Sequence, residues 1–177
     1  MFRSRRGVGL LCAGCAVVPT AAGPPSVPND PDFANQWALL NTGQVVNEKA
    51  GMPGADIGAL AAWDIYPGSS VVVAIIGTGV DPHPEFANRL LEGYVAPSAG
   101  GDPYSTLDTA SVGTHVAGII AAARGNGIGI AGINDHVWIL PVRVLQDNTG
   151  TETSTAEGIE WAVDHGADVI VVPLQFY

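Results

Sequence analysis

Three apolar runs set the hydrophobic pattern of this chain, at residues 71–76, 138–144 and 169–172. The first run is uninterrupted, rich in β-branched side chains and followed at once by Gly-Thr-Gly. Segments that are apolar on both faces are typical of strands in a parallel sheet that helices cover on each side. Pro141 lies within the second run and argues against a fully hydrogen-bonded interior position for that strand.

Helices are predicted before and between these runs. A short helix is expected at residues 56–62, and small apolar residues at 114–123, ending at Arg124-Gly125, predict a second helix. The third helix is predicted to start at a capping box formed by Ser154 and Glu157 and to stop at Gly166. Alternating strands and helices predict an α/β fold with right-handed crossovers, in which a parallel sheet carries helices on both faces.

The size and charge of the chain limit its class. With 177 residues, 47% of them hydrophobic, it is long enough for one domain with a substantial core. The formal net charge of −10 would repel nucleic acid and anionic lipid, so neither is expected as a partner. An acidic surface also suits cation binding, although it is typical of soluble surfaces in general.

The first 22 residues have the features of an export signal. Three arginines precede an apolar run at residues 7–18, and small residues follow it up to Ala22. The run is too short to span a bilayer, so no transmembrane segment is predicted. We therefore expect a signal peptide at 1–22, a proline-rich linker at 23–32 and a secreted or cell-envelope protein.

Both cysteines of the chain lie inside the predicted signal. Cys12-Ala13-Gly14-Cys15 resembles a bacterial lipobox, with a cysteine where leucine is usual. Cys15 is therefore a candidate for lipid attachment, and the alternative is simple cleavage of the signal. In either case no cysteine pair remains downstream, which predicts a body without an internal disulfide.

The turn after the first apolar run is where chemistry is first expected, because ligands gather at the carboxyl ends of parallel strands. Residues 77–79 read Gly-Thr-Gly, which would also fit the start of a dinucleotide-binding turn. That turn needs a third glycine and a helix N-terminus for the pyrophosphate, but Pro82 and Pro84 stand there instead. The dinucleotide interpretation therefore lacks its required context.

Two motifs, in the right order, resemble those of subtilisin-like serine proteases. The first joins Thr78-Gly79 to His83-Pro84-Glu85, and the second reads Val-Gly-Thr-His-Val-Ala-Gly at residues 112–118. Segments within 29–44, 61–64, 141–145 and 156–170 are similar to the family as well. The resemblance implies a partial subtilisin-like peptidase domain at 33–177. It would be incomplete at its C-terminal end, because the family's serine helix and oxyanion asparagine come later than Tyr177.

The chain departs from this family at both triad positions that the resemblance covers, and the serine region is absent. The family has the triad Asp at position 77 and the general-base His at position 112, whereas this chain has Gly77 and Val112. Glycine cannot orient an imidazole and valine cannot accept a proton, and removing triad members lowers rates by about 10⁴ to 10⁶. We therefore predict a serine endopeptidase family member that does not hydrolyse peptide bonds. Two alternatives stay open: a non-catalytic peptide-binding module, or a truncated or corrupted version of an active secreted protease.

The resemblance also implies a structural calcium site. In the family a carboxylate near the first motif joins an asparagine and backbone carbonyls from a loop after the second motif. Those positions correspond to Glu85, Asn126, Ile128 and Ile130. A flexible glycine-rich loop with a solvated Glu85 is the alternative. His115 matches a structural histidine of the family, and its small and apolar neighbours predict a buried position. The expected partner is a polypeptide, and the expected state is a monomer.

Overall fold

A parallel sheet forms the centre of the computed structural model, which describes residues 26–102 and 104–174. Its strands and α-helices are, in chain order, β1 (Val45–Val46), β2 (Lys49–Ala50), α1 (Ala59–Ile65), β3 (Val72–Gly77), β4 (Tyr94–Val95), α2 (Val112–Ala121), β5 (Trp138–Arg143), β6 (Leu145–Gln146), β7 (Thr149–Gly150), α3 (Glu152–Asp164) and β8 (Val169–Val171). The sheet has the order β4-β5-β3-β8, and two small hairpins, β1-β2 and β6-β7, lie outside it. The predicted signal peptide 1–22, with Cys15, is outside the described residues.

Strand β3 lies between β5 and β8, which accounts for its uninterrupted apolar sequence. It pairs in parallel with both neighbours, and Ala74, Ile75 and Ile76 are fully buried. The three predicted strands correspond to β3, β5 and β8, with ends that differ by at most one residue. The parallel sheet expected from the apolar runs is therefore confirmed.

Helices cover both faces of the sheet, as predicted. On one face Ile75 packs in a core with Ala117 and Ala121 of α2. On the other face Ile76 packs with Ala162 of α3, because successive residues of a strand point to opposite faces. No helix within the described ranges is long and apolar enough to cross a membrane.

Pro141 belongs to an interior strand, but it does not occupy a fully hydrogen-bonded position there, as its sequence indicated. It lies opposite Ile75 of β3, and β5 is flanked by β4 on its other side. The carbonyl of Ile139 accepts a hydrogen bond from Leu91, on the β4 side. Because alternate residues of a strand direct their backbone groups to the same side, the missing N–H of Pro141 also faces β4. Strand β4 pairs with β5 at only two residues, Val142 and Arg143. The proline therefore removes no hydrogen bond from the β3-β5 ladder.

Helix α1 begins at Ala59, three residues after the predicted start. The carboxylate of Asp56 accepts hydrogen bonds from the backbone N–H groups of Asn41 and Gly58. Aspartate side chains that bond nearby backbone groups in this way favour turns over helix interiors. The helix therefore starts only after Gly58, which has a left-handed backbone conformation.

The capping box of α3 is formed by Thr151 and Ser154, not by Ser154 and Glu157. The Thr151 hydroxyl accepts a hydrogen bond from the Ser154 backbone N–H at 3.0 Å, and the Ser154 hydroxyl accepts one from the Thr151 N–H at 3.1 Å. Glu157 instead accepts a hydrogen bond from the hydroxyl of Ser98 at 2.7 Å. The predicted stop is confirmed, because the helix ends at Asp164, just before Gly166.

The packed body begins inside the predicted 23–32 linker. Asp30 is 4% exposed, and its carboxylate accepts hydrogen bonds from the backbone N–H groups of residues 125–127 at 2.8, 3.0 and 3.2 Å. Phe33 is also buried, in a small core with Leu60 of α1. The last residues of the predicted linker therefore pack as part of the domain.

Candidate active-site groove

A cavity of about 650 Å³ opens at the carboxyl ends of β3, β5 and β8. Parallel α/β sheets place their ligands at this edge. Thr78 follows β3, Leu145 follows β5 and Leu174 follows β8, so each of these strands contributes to the lining. The full lining consists of Thr78, Val112, Leu145, residues 148–152, Thr155, Pro173 and Leu174.

Of the two residues that the sequence singled out as altered, Val112 lines this cavity and Gly77 directly precedes Thr78, which lines it. Gly77 is the last residue of β3, and Val112 is the first residue of α2. Val112 lines the cavity and is 38% exposed. A Cβ added to Gly77 would come 4.0 Å from Cδ2 of Leu174, which also lines the cavity, and would meet nothing nearer. A side chain at position 77 would therefore be accommodated beside the cavity, where only a hydrogen atom is present.

Asp108 joins the turn after β3 to the start of α2. Its Oδ1 accepts hydrogen bonds from the Thr78 hydroxyl at 2.6 Å and the Ala110 N–H at 3.1 Å, and its Oδ2 accepts one from the Thr114 N–H at 2.7 Å. The Thr78 hydroxyl in turn accepts a hydrogen bond from the Gly113 N–H at 3.2 Å. Burial opposes ionisation of Asp108, but these hydrogen bonds outweigh it and hold its pKa below the ordinary value. In the first turn of α2 the Thr114 N–H donates to Asp108 and the Gly113 N–H to Thr78, and α2 begins two residues before its predicted start.

Two glycines allow the turn after β3 to touch α2 on one side and residues 106–107 on the other. A Cβ on Gly113 would lie 1.9 Å from the carbonyl oxygen of Gly79. A Cβ on Gly79, whose φ is +104°, would lie 2.4 Å from the carbonyl oxygens of Thr106 and Leu107. Gly79 and Gly113 are therefore required by close backbone packing, since no L side chain fits at these two contacts, whereas Gly77 is not under this constraint.

His115 is exposed, so its predicted buried position is wrong. The small residues near it, such as Ala117, face the sheet, whereas His115 lines a second cavity of about 350 Å³ together with Asp81 and Ser111. Among the described residues, no hydrogen bond joins His115 to Asp81 or Ser111. In that same part of the chain no histidine lines the first cavity. His115 and Asp81 thus lie apart from the cavity that Val112 lines.

The residues of the predicted calcium site come together in part. Glu85 is 4% exposed, and its Oε2 accepts a hydrogen bond from Nδ2 of Asn126 at 2.8 Å, whereas its Oε1 has no hydrogen-bond partner in the described part of the chain. Among the described residues, the carbonyls of Ile128 and Ile130 accept no hydrogen bond, whereas the carbonyl of Gly129 accepts one from the Asp32 N–H. A buried unpaired carboxylate oxygen and free loop carbonyls have the oxygen chemistry that Ca²⁺ prefers.

A purely side-chain metal cluster is not present in residues 26–102 and 104–174. No group of three or more His, Cys, Asp or Glu side chains there could hold a metal ion. A cation at Glu85 would therefore depend on amide and carbonyl oxygens. Asn126 would have to present its Oδ1 there, and in the structure this atom accepts a hydrogen bond from the Ile128 N–H at 2.8 Å.

Comparison with known proteins decides the family. A model of the subtilase family matches residues 68–172, which is more than half of the chain. The chain is a member of the subtilase family. It is 38% identical over 149 residues to thermitase from Thermoactinomyces vulgaris, in an alignment that covers 83% of this chain and 47% of thermitase. It is 43% identical over 116 residues to a thermophilic serine proteinase from Bacillus sp. (strain AK1), covering 64% of this chain and 28% of that protein.

The subtilase fold is also found by structural similarity. Proteases from Pseudoalteromonas arctica PAMC 21717 match with a TM-score of 0.64 and 32% identity over 82% of this chain and 50% of theirs. The predicted subtilisin-like α/β fold is therefore confirmed. This subtilase chain spans about half the length, or less, of the relatives that it matches.

Two residues of this subtilase escaped reasoning from the sequence. Asp108 is 30 residues from Thr78, and Asp30 is 95 residues from Gly125, so no local pattern connects either pair. The Asn-Asp-Pro segment at 29–31, which is similar to the family, was the one available signal for Asp30. The roles of Asp108 and Asp30 become visible only in the folded chain, where each carboxylate binds backbone N–H groups.

Proposed function

We propose that this chain is a catalytically silent subtilase that does not hydrolyse peptide bonds. The observation that carries this proposal is the residue pair Gly77, which ends β3 beside the cavity, and Val112, which begins α2 and lines the cavity. A serine attacks a carbonyl only when a base removes its proton, and neither residue can accept one. Because both positions lie within the present sequence, a serine supplied from elsewhere would still lack its base.

The remaining acidic groups at the turn are engaged in structural hydrogen bonds. Asp108 accepts three, and Asp81 accepts one from the Asp108 N–H at 3.0 Å. The lowered pKa of Asp108 makes its carboxylate a weak general base. His115, the nearest histidine along α2, lines the other cavity. These contacts support the proposal that no neighbour replaces the missing base.

Casein hydrolysis and labelling with a fluorophosphonate, which modifies activated serines, test this proposal. We expect neither signal to exceed that of a buffer control. Casein turnover by the unaltered chain, blocked by the fluorophosphonate and retained after repurification, would refute the proposal.

A second candidate function is the binding of extended polypeptides without cleavage. The cavity presents apolar surface from Val112, Leu145 and Leu174 next to the hydroxyls of Thr151 and Thr155. Peptide recognition by strand addition uses pockets of this kind for side chains, while main-chain hydrogen bonds supply affinity. Loss of the catalytic groups does not remove this surface.

Fluorescein-labelled casein, followed by fluorescence anisotropy, tests peptide binding. We expect saturable binding that Val112→Trp weakens at least about tenfold, because the larger side chain would occupy part of the cavity that Val112 lines. Val163→Trp is the matched control, since Val163 is 59% exposed on α3 and does not line the cavity. Equal binding by both variants, or no saturable binding by the unaltered chain, would count against this function.

We further propose that Glu85, Asn126 and the carbonyls of Ile128 and Ile130 hold a structural Ca²⁺. Its support is the buried Oε1 of Glu85 that lacks a partner in the described part of the chain. Adding Ca²⁺ in about hundredfold excess over its dissociation constant should raise the melting temperature by about 5 °C or more relative to EGTA. Glu85→Gln should abolish the shift, and the exposed control Glu160→Gln should retain it. The same shift in Glu85→Gln would contradict the site.

We also infer that the protein is exported, on the strength of the signal features at residues 1–22. Sequencing the N-terminus of the mature protein checks the cleavage site. Lipidation of Cys15 predicts incorporation of labelled palmitate that Cys15→Ser removes. A mature protein that still begins at Met1 would contradict export through this signal.

A further inference from the structure

Arg143 is a buried cation whose charge is balanced by backbone carbonyls. It ends β5 and is 1% exposed, and it forms no salt bridge with any described residue. Its Nε donates to the carbonyl of Ser105 at 2.8 Å, its Nη1 to that of Gly100 at 3.2 Å, and its Nη2 to that of Asp102. Nη1 also donates to Oε1 of Gln146 at 2.7 Å. The planar guanidinium thus bridges two separate segments. The first consists of the described residues 100–102 and 104–111, called residues 100–111 below, and the second is the β6-β7 hairpin.

The first segment, residues 100–111, supports the turn after β3. The carbonyl of Thr106 accepts a hydrogen bond from the Val80 N–H at 2.9 Å, and the Thr109 N–H donates to the carbonyl of Thr78 at 3.0 Å. Asp108, in the same segment, binds the first turn of α2. Displacement of this segment would therefore move both Thr78 and the start of α2 at the cavity.

The second segment, the β6-β7 hairpin at residues 145–150, forms part of the cavity lining. Gln146, held by Arg143, donates through Nε2 to the carboxylate of Asp147 at 3.0 Å. The N–H of Asp147 donates in turn to the hydroxyl of Thr109 at 3.2 Å. The hydrogen bond between Asp147 and Thr109 therefore joins the hairpin to the first segment a second time, in addition to the contacts of Arg143.

The two segments approach so closely at Gly101 that a side chain there would displace the amide of Gln146. A Cβ there would lie 2.1 Å from Oε1 of Gln146 and 3.1 Å from Nη1 of Arg143. Gly101 also has a φ of +72°, which L side chains rarely adopt. A glycine at position 101 therefore permits the close contact between the two segments.

We propose that Arg143 is a positioning residue that sets the distance between the β6-β7 hairpin and the α2 side of the cavity. It acts on the groove through residues 100–111 and Gln146 and does not line the cavity itself. The expected effect of Arg143 on ligand binding rests on the proposed peptide-binding function. Its expected effect on the position of the two segments does not depend on that function. The experiment therefore measures the segments and the ligand separately.

Amide hydrogen exchange under native conditions tests the positioning role in the full chain. Arg143→Lys keeps the charge, but an ammonium cannot reach four acceptors held in a fork geometry. We expect exchange in residues 100–111 and 145–150 to accelerate about tenfold or more, because each charge-assisted hydrogen bond is worth at least that factor. Gln146→Ala should accelerate exchange in the hairpin more than in residues 100–111, and it remains informative if Arg143→Lys fails to fold.

Arg89→Lys is the matched control. The Arg89 guanidinium donates to the carbonyls of Val137, Glu85 and Ala121 at 3.1, 2.8 and 2.7 Å, and Arg89 does not line the cavity. We expect this variant to lose stability while leaving exchange in residues 100–111 and 145–150 unchanged. Unchanged exchange in Arg143→Lys, or equal acceleration in both lysine variants, would overturn the positioning role.

Casein binding completes the test. If the unaltered chain binds labelled casein, Arg143→Lys should weaken binding about tenfold at a temperature where Arg89→Lys, of similar melting temperature, binds normally. Equal casein affinity in the two variants would overturn the effect of Arg143 on ligands. If the unaltered chain binds no casein, peptide binding fails as a function and the exchange data alone decide the positioning role.

Discussion

Replacing Thr78 by valine removes one hydroxyl from the point where β3, residues 100–111 and α2 meet. Thr78 is 1% exposed, and its hydroxyl both donates to Asp108 at 2.6 Å and accepts from the Gly113 N–H at 3.2 Å. Valine has nearly the same shape, so Thr78→Val creates no cavity. The substitution therefore isolates the contribution of the two hydrogen bonds.

The expected cost is set by these two contacts. A hydrogen bond to a charged group contributes about 1.5–3 kcal/mol, and an unsatisfied buried N–H, here that of Gly113, costs about 1–3 kcal/mol. Asp108 keeps its bonds from Ala110 and Thr114, so it is not left without partners. The free energy of unfolding should fall by about 2.5–6 kcal/mol. At a urea m-value of about 2 kcal/mol/M, the midpoint would fall by about 1.3–3 M.

Urea unfolding followed by tryptophan fluorescence measures the change. The control is Thr106→Val, because the Thr106 hydroxyl makes no hydrogen bond with any described residue and its backbone carbonyl is unaffected by the change. We expect Thr106→Val to stay within about 0.5 kcal/mol of the unaltered chain. A Thr78→Val midpoint equal to that of Thr106→Val would refute the claim that this hydroxyl holds the start of α2.

Three further predictions concern the same region. Gly77→Ala should change the free energy of unfolding by less than about 1 kcal/mol, because the added Cβ has space. Gly113→Ala should lower it by more than about 2 kcal/mol, because the added Cβ would meet the Gly79 carbonyl. Similar urea midpoints for the two variants would contradict this. The stability advantage of the unaltered chain over Asp108→Asn should be complete above about pH 5 and decline as the pH falls below about 4. This sign reflects the lowered pKa of Asp108, and an advantage that grows toward about pH 3 in thermal melts would be inconsistent with it. Asp30→Ala should expose residues 26–32 to proteolysis before global unfolding, since three backbone N–H groups lose their acceptor; unchanged cleavage by thermolysin would exclude this anchoring role.

The α/β class and its three main strands could be predicted because burial on both faces leaves a local mark on the sequence. Residues 71–76 must be apolar at every position when helices cover both faces of the sheet. Helix starts were less predictable, because several residues that can form caps stand close together. Ser154 with Glu157 and Thr151 with Ser154 are both plausible boxes, and the N–H groups that need acceptors in the folded chain selected the second.

The sequence alone determined that positions 77 and 112 carry no acid and no base, because the ability to exchange a proton belongs to the residue type. It equally determined the family, through motifs that survive around those two substitutions. Only the tertiary structure decided that His115 faces solvent, that Asp108 holds α2 and that Arg143 joins two segments of the chain. These contacts form between residues as far as 43 positions apart, and a distant contact of this kind imposes no periodicity on the residues between its partners.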